Sequence, residues 1–328
     1  MANPKQQRID PKTVSAAVAR GKSKRPGGRP PGVAKVKKAG ARDWIAGARL
    51  RTLPLGIAPV LLGTGAAQLL TDGDWHWVRA LLALAVAVAL QIGVNYANDY
   101  SDGIRGTDSH RVGPARLTGS GAAKPRTVLI VALSFFGLGA LAGLALVVLS
   151  GQYWLLAVGA VAIVAAYFYT GGKRPYGYNA LGEVFVFIFF GIVATAGTTY
   201  VQVGTVNDES WIAAVAIGLI ACAVLMVNNI RDIEQDKVAG KRTLAVLLGN
   251  RASRIVFSVF LLLPYVLLVF FVIFYDNASY VYFTLMLALP AVLITVTAKT
   301  PKELILALQL TSFTALAYGL SLALVLAF

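Results

Sequence analysis

From Leu53 to the end of the chain, apolar runs of about 20 residues alternate with short polar connections. A helix of that length covers roughly 30 Å of hydrocarbon, so each run is read as a membrane span. Nine are expected, at about 53–70, 79–97, 127–149, 153–170, 181–203, 211–230, 254–274, 279–297 and 303–327. Connections after spans two, four, six and eight carry the basic residues, among them Arg105, Lys124, Lys173, Arg231, Lys237, Arg251 and Lys299. The other connections hold only Arg79, beside Asp72, Asp74, Asp208, Glu209 and Asp276. The excess of Lys and Arg on cytoplasmic loops places the N-terminus and the even-numbered connections in the cytoplasm and leaves Phe328 outside.

Composition supports this class. With 57% hydrophobic residues, 14% charged residues and a mean hydropathy of +0.68, the chain is too apolar for a soluble domain. The expected fold is an all-α polytopic membrane protein, with nine transmembrane helices over residues 41–328 around a cavity open to the cytoplasmic side. Residues 1–40 carry eleven Lys or Arg against Asp10 alone, with Pro and Gly throughout. Such an arm is expected to be disordered, solvated or drawn to anionic membrane lipid. Cys222, the single cysteine, lies within a span and is read as packing. No nucleic-acid partner is expected, and oligomeric state is left open.

Two acidic stretches end spans two and six: Asn98-Asp99-Tyr100-Ser101-Asp102 continuing to Asp108, and Asn228-Asn229-Ile230-Arg231-Asp232 continuing to Asp236. In a helix Asn228, Asp232 and Asp236 share one face, and Asn98 and Asp102 repeat the spacing. Like charges one turn apart repel, more so beside a low-dielectric membrane, and a divalent cation relieves them. Carboxylates at the bilayer centre are costly, so both stretches belong at one interface, at the mouth of the bundle. Hard oxygen ligands on two facing helices suit Mg²⁺ shared with substrate phosphates. Arg105, Arg111, Arg116, Lys173, Arg231, Lys241 and Arg242 are candidate clamps for phosphate oxygens. Arg49 and Arg51, at the start of span one, are placed to reach the same diphosphate. A lipid diphosphate with its tail between the helices fits this combination.

The paired stretches resemble the aspartate-rich signatures of the UbiA superfamily of membrane prenyltransferases: Asn98, Asp99, Asp102 and Asp108 match the first, Asp232 and Asp236 the second. The six-residue gap from Asp102 to Asp108, followed by Arg111-Val112-Gly113-Pro114-Ala115-Arg116, is similar to the 1,4-dihydroxy-2-naphthoate polyprenyltransferase branch. So are Tyr169-Thr170-Gly171-Gly172-Lys173, Asn179-Ala180-Leu181-Gly182-Glu183 and Gly240-Lys241-Arg242-Thr243. Leu50 departs from that branch, standing where relatives commonly have Pro. The resemblance spans about residues 42–328.

It implies Mg²⁺-dependent transfer from a polyprenyl diphosphate to 1,4-dihydroxy-2-naphthoate, with loss of the carboxylate, to give demethylmenaquinone in a bacterial plasma membrane. Asn98, Asp99, Asp102, Asp108, Asp232 and Asp236 would then hold the metal, and Arg51, Arg111, Arg116, Lys173, Arg231, Lys241 and Arg242 the diphosphate. Asp102, Asp232, Asp236, Lys173 and Glu183 would carry catalysis. Glu183 is read either as assisting the acceptor or as pairing with Lys173 or Arg174. Tyr96, Tyr100, Tyr169 and Tyr176 are candidate shields for an allylic cation, or an interfacial belt. His110 is read as a loop residue, with proton transfer the competing role, and His76 as part of an outer belt. Two other readings remain at this point: another aromatic acceptor such as 4-hydroxybenzoate or homogentisate, and a cation-coupled transporter, whose acids would lie nearer the midplane.

Overall fold

In hydrocarbon no water is at hand for the backbone, so each apolar run has to satisfy its own amides, which a helix does. The computed structural model describes residues 38–71, 74–107 and 116–328, and helix is the only regular structure among them. In order these are α1 (Ala41–Gly47), α2 (Pro54–Gln68), α3 (Trp77–Arg105), α4 (Pro125–Ser150) and α5 (Leu155–Phe168). Then come α6 (Gly182–Val203), α7 (Asp208–Arg231), α8 (Ile233–Val238), α9 (Leu244–Phe274), α10 (Asp276–Thr297) and α11 (Glu303–Ala327). Most of the basic arm, residues 1–37, lies outside the described residues, as do 72–73 and 108–115.

Among the described residues seven helices are long and apolar enough to cross a membrane, and the pair before and after Leu53, bent by 47°, makes an eighth. The remaining expected span, α5, has 14 residues. At 1.5 Å per residue that is about 21 Å, short of the hydrocarbon thickness. The count of nine is therefore not reached by length. The chain is a multi-pass membrane protein with an all-helical fold.

Helix α7 is the axis of one wall: 72% of its apolar window is buried, and α2, α6, α9 and α11 pack around it. Leu62, Ile217, Ile220, Phe257, Phe271 and Tyr318 belong to this core. Its helices approach closely at glycines. A Cβ on Gly65 would stand 2.7 Å from the Cα of Ala323, and one on Gly191 2.8 Å from the Cα of Gly218. Such contacts replace the hydrophobic drive that lipid does not supply between helices. Gly191 lies in a π-helical stretch of α6, Phe187–Val193.

The opposite wall is α3 against α4, around Tyr96, Val128, Ala132 and Phe136. Helix α5 leans on these two and buries Ala165 alone. Between the walls runs a cavity whose end remote from the acidic stretches is closed by Val60, Ala83, Leu146 and Val201. Arg79 fastens that end. Its guanidinium donates to Leu149 O of α4 at 2.9 Å, and to Val201 O and Gln202 O of α6 at 3.2 and 2.8 Å. A cation placed on such terminal carbonyls satisfies groups a helix leaves unpaired.

Candidate active site

The cavity measures about 600 Å³, and one end of it gathers the two acidic stretches. On α3, Asn95, Asn98 and Asp102 follow at intervals of three and four, share a face, and line that cavity. Asn98 Oδ1 accepts from Thr170 Oγ1 at 2.7 Å. Asp102 is 3% exposed, so its charge needs partners from elsewhere in the chain. Arg116 Nη1 lies 3.0 Å from its Oδ2 and Lys241 Nζ 3.2 Å from its Oδ1, while the Tyr178 hydroxyl donates to Oδ1.

The second stretch is not the continuous helix expected of it. Helix α7 stops at Arg231, Asp232 has φ −100° and ψ 7°, and α8 restarts at Ile233. Arg231 grips its neighbour side-on, Nε on Oδ1 at 2.7 Å and Nη2 on Oδ2 at 2.6 Å, and also donates to Asn228 Oδ1 at 2.8 Å. Even across the break, Asn228, Asp232 and Asp236 line the same end of the cavity as Asp102. Gly240, at φ +71°, turns the chain after α8 in a conformation only glycine takes without strain. The turn lets Lys241 N donate to Asp236 O at 2.8 Å and brings Lys241 Nζ 3.8 Å from Asp236 Oδ1. One ammonium thus joins the two acidic stretches. Burial, the larger effect, pushes the Asp236 carboxyl up to about 7, with Lys241 pulling it down and Asp232 and Asp102 adding to the rise.

Tyr178, which spacing did not single out, sits at the centre of this end. Lys241 Nζ stands 4.5 Å and the Arg105 guanidinium 5.4 Å from its ring centroid. Burial, and then the Asp102 carboxylate, hold its hydroxyl in the neutral form by raising its pKa. Its carbonyl accepts from Arg242 N at 2.8 Å, tying the loop after α5 to the second acidic stretch. Arg105 itself donates to the carbonyls of Thr170 and Gly172. The only signal for Tyr178 in the sequence was its place two residues after Tyr176.

Several expected site residues lie elsewhere. Asp99 does not line the cavity: its Oδ2 and Oδ1 accept from Leu117 N at 2.9 Å and Thr118 N at 2.8 Å, and so it fastens the segment after Arg116. Lys173 and Arg242 are exposed and away from the cavity, because their positions fall on outward turns. Of the two arginines before span one, Arg49 lines the cavity and Arg51 does not. Arg231 is buried against Asp232. Tyr96 is packed in the α3–α4 core, its hydroxyl donating to Trp44 O at 2.6 Å, and Tyr100 also stays off the cavity, whereas Tyr169 and Tyr176 line it. Glu183 stands behind the wall, accepting from Asn229 Nδ2 at 3.0 Å, and Asn229 is the residue that faces the cavity. Asp108, His110 and Arg111 lie outside the described residues.

Among the described residues no three acid or thiol or imidazole side chains gather closely enough to hold an ion by themselves. Asn98, Asp102, Asn228, Asp232 and Asp236 instead present oxygens from two sides of one opening. That donor set fits Mg²⁺, which takes a few carboxylates and completes its shell with water and phosphate oxygens, and does not fit a cage made of protein alone.

The UbiA prenyltransferase family matches residues 57–304. The 1,4-dihydroxy-2-naphthoate octaprenyltransferase of Mycobacterium tuberculosis is 57% identical over 216 residues, 66% of this chain and 73% of that one. The Escherichia coli protein of the same name is 39% identical over 64% of this chain and 70% of its own. A UbiA homologue from Aeropyrum pernix has a similar fold, with a TM-score of 0.63 at 16% identity over 83% of this chain and 96% of that one. One from Archaeoglobus fulgidus, solved with DMAPP and Mg²⁺, gives a TM-score of 0.58 at 15% identity over 86% of this chain and 99% of that one. With the family matched across most of the helical domain and its fold repeated, this chain belongs to the UbiA prenyltransferase family.

Proposed function

We propose that this enzyme transfers a polyprenyl group from its diphosphate to 1,4-dihydroxy-2-naphthoate, with loss of the ring carboxylate, giving demethylmenaquinone. The observation that carries the reading is the meeting of an acidic, cation-flanked end with a long apolar cavity. A diphosphate on a hydrocarbon tail has that same division of chemistry. The naphthoate is proposed on the names of the relatives at 57% and 39% identity.

In this reading Asn98, Asp102, Asp232 and Asp236 supply ligands to Mg²⁺, with Asp108 added by resemblance and Asn228 by its place on the cavity wall. The ion, when bound, takes up charge from the leaving diphosphate. Lys241 and Arg116, paired with Asp102, are the cations that would meet phosphate oxygens when the carboxylates hold the ion. Tyr169 and Tyr176 offer ring faces to the allylic cation, and the cavity keeps water from it. Asn229, held by Glu183, faces the space where the ring would lie. The basic residues of the even-numbered connections support a cytoplasmic position for the acidic end.

Purified protein given labelled polyprenyl diphosphate, Mg²⁺ and dihydroxynaphthoate should yield prenylated product and pyrophosphate, and chelation should abolish both. Product with 4-hydroxybenzoate or homogentisate alone would replace the acceptor. Cation flux without pyrophosphate release would replace the reaction.

A further inference from the structure

The cavity wall turns polar a second time, well below the acidic end. On α3, Asn95 and Gln91 lie about 10 and 16 Å from Asp102 at 1.5 Å per residue, one turn apart on the lining face. Thr52 lines the cavity beside them. Its hydroxyl donates to Arg49 O at 2.9 Å and accepts from Gln91 Nε2 at 3.1 Å and Asn95 Nδ2 at 3.2 Å. Asn95 Nδ2 also donates to Ala48 O at 2.9 Å.

A hydroxyl has one hydrogen, and that of Thr52 is spent on Arg49 O. Both amides must therefore present nitrogen to Thr52, and both amide oxygens are turned away from it. Gln91 is 6% exposed, and its buried Oε1 meets no donor. Asn95 is 4% exposed, and its Oδ1 receives no hydrogen bond among the described residues. Leaving a buried carbonyl oxygen such as Gln91 Oε1 without a donor is unfavourable, so this wall is prepared for a ligand that brings hydrogens. Amide oxygens repel the oxygens of a phosphate and attract a neutral O–H.

We propose that Gln91 and Asn95, aligned by Thr52, form a subsite for the ring hydroxyls of the aromatic acceptor. The inference rests on the reading of prenyl transfer to a dihydroxynaphthoate. Hydrogen bonds from the ring hydroxyls to these oxygens hold the ring in the cavity below the diphosphate. Thr52 is then a positioning residue. A site built to bond a hydroxyl discriminates strongly against an analogue that lacks it.

The test uses full-length protein in detergent, with initial rates for both substrates and 2-naphthoate, which has no ring hydroxyl, as competitive inhibitor. Gln91→Met keeps the side-chain length and removes the acceptor oxygen. It should raise KM for dihydroxynaphthoate about tenfold, a loss of ~1.36 kcal/mol. KM for the prenyl diphosphate and the inhibition constant of 2-naphthoate should both stay within about twofold. Thr52→Val should give the same selective rise, and Thr52→Ser should restore the parent value, which keeps the question open to test if Gln91→Met fails to fold. An unchanged acceptor KM, or an equal rise for the prenyl diphosphate, overturns the subsite. Failure of the acceptor reading itself looks different: the parent protein would leave dihydroxynaphthoate unmodified, whereas failure of the subsite leaves transfer intact and indifferent to Gln91.

Discussion

Asp102 rides on the last turns of an unbroken 29-residue helix, while Asp232 occupies the break between α7 and α8. The neutralising partners differ as much as the backbones. Asp232 is gripped by the adjacent Arg231, a contact available as soon as the local turn forms. Asp102 draws on Arg116, Tyr178 and Lys241, which come from three separate connections. Asp232 thus has a counter-charge beside it in the chain, whereas the partners of Asp102 reach it only when the bundle has closed around it. Lys241 is where the two acidic stretches meet, within 3.2 Å of the Asp102 carboxylate and 3.8 Å of that of Asp236.

That difference can be broken most severely at Asp102. Asp102→Asn should cut turnover by about a hundredfold or more, as loss of a group that organises charge at the reacting centre does. Its thermal midpoint should fall as well, since Arg116 and Lys241 lose the carboxylate they pair with in a buried site, so turnover is compared at a temperature where both proteins are folded. Turnover within threefold of the parent would remove Asp102 from the site.

Lys241→Met tests the link itself. Turnover should fall roughly 10- to 100-fold, and Mg²⁺ should raise the thermal midpoint more than in the parent, because two carboxylates have lost their shared cation. An equal Mg²⁺ response in variant and parent would mean that Lys241 and the metal do not compete for the same oxygens.

Asp99→Asn separates two neighbours in one motif. With its oxygens on Leu117 N and Thr118 N, the loss should appear as ~1–3 kcal/mol of stability, measured by denaturant titration, and the folded fraction should keep most of its kcat. A stable but inactive variant would return Asp99 to the metal ligands. Tyr178→Phe removes a single hydrogen bond to Asp102 while leaving the ring under Lys241 and Arg105, so kcat/KM should drop roughly fivefold. Lys173→Ala and Arg242→Ala, both on exposed turns, should change kcat/KM by less than about twofold. A tenfold loss in either would bring that cation into the site.

The helices were readable in the sequence because a membrane leaves the backbone one economical choice and because apolar length is a local property. The pairing of Asn98 with Asp102, and of Asn228 with Asp232 and Asp236, as groups at one end of the bundle was readable for the same reason: helical spacing and the ends of apolar runs are both written locally. Cys222, buried and donating to Glu183 O at 3.2 Å, is the packing residue its surroundings implied. What only the tertiary structure decided is which polar atom meets which. Asp99 and Asp102 stand three residues apart on one helix, yet one turns to the amides of Leu117 and Thr118 and the other to the cavity. Lys173 and Lys241 carry the same charge in connections of the same parity, yet only Lys241 is aimed inward, by the left-handed turn at Gly240. Spacing assigns a residue to a face of its own helix. Which neighbour that face meets depends on crossings such as Gly65 with Ala323 and on the path of each connection, and these arise from contacts between segments far apart in the chain.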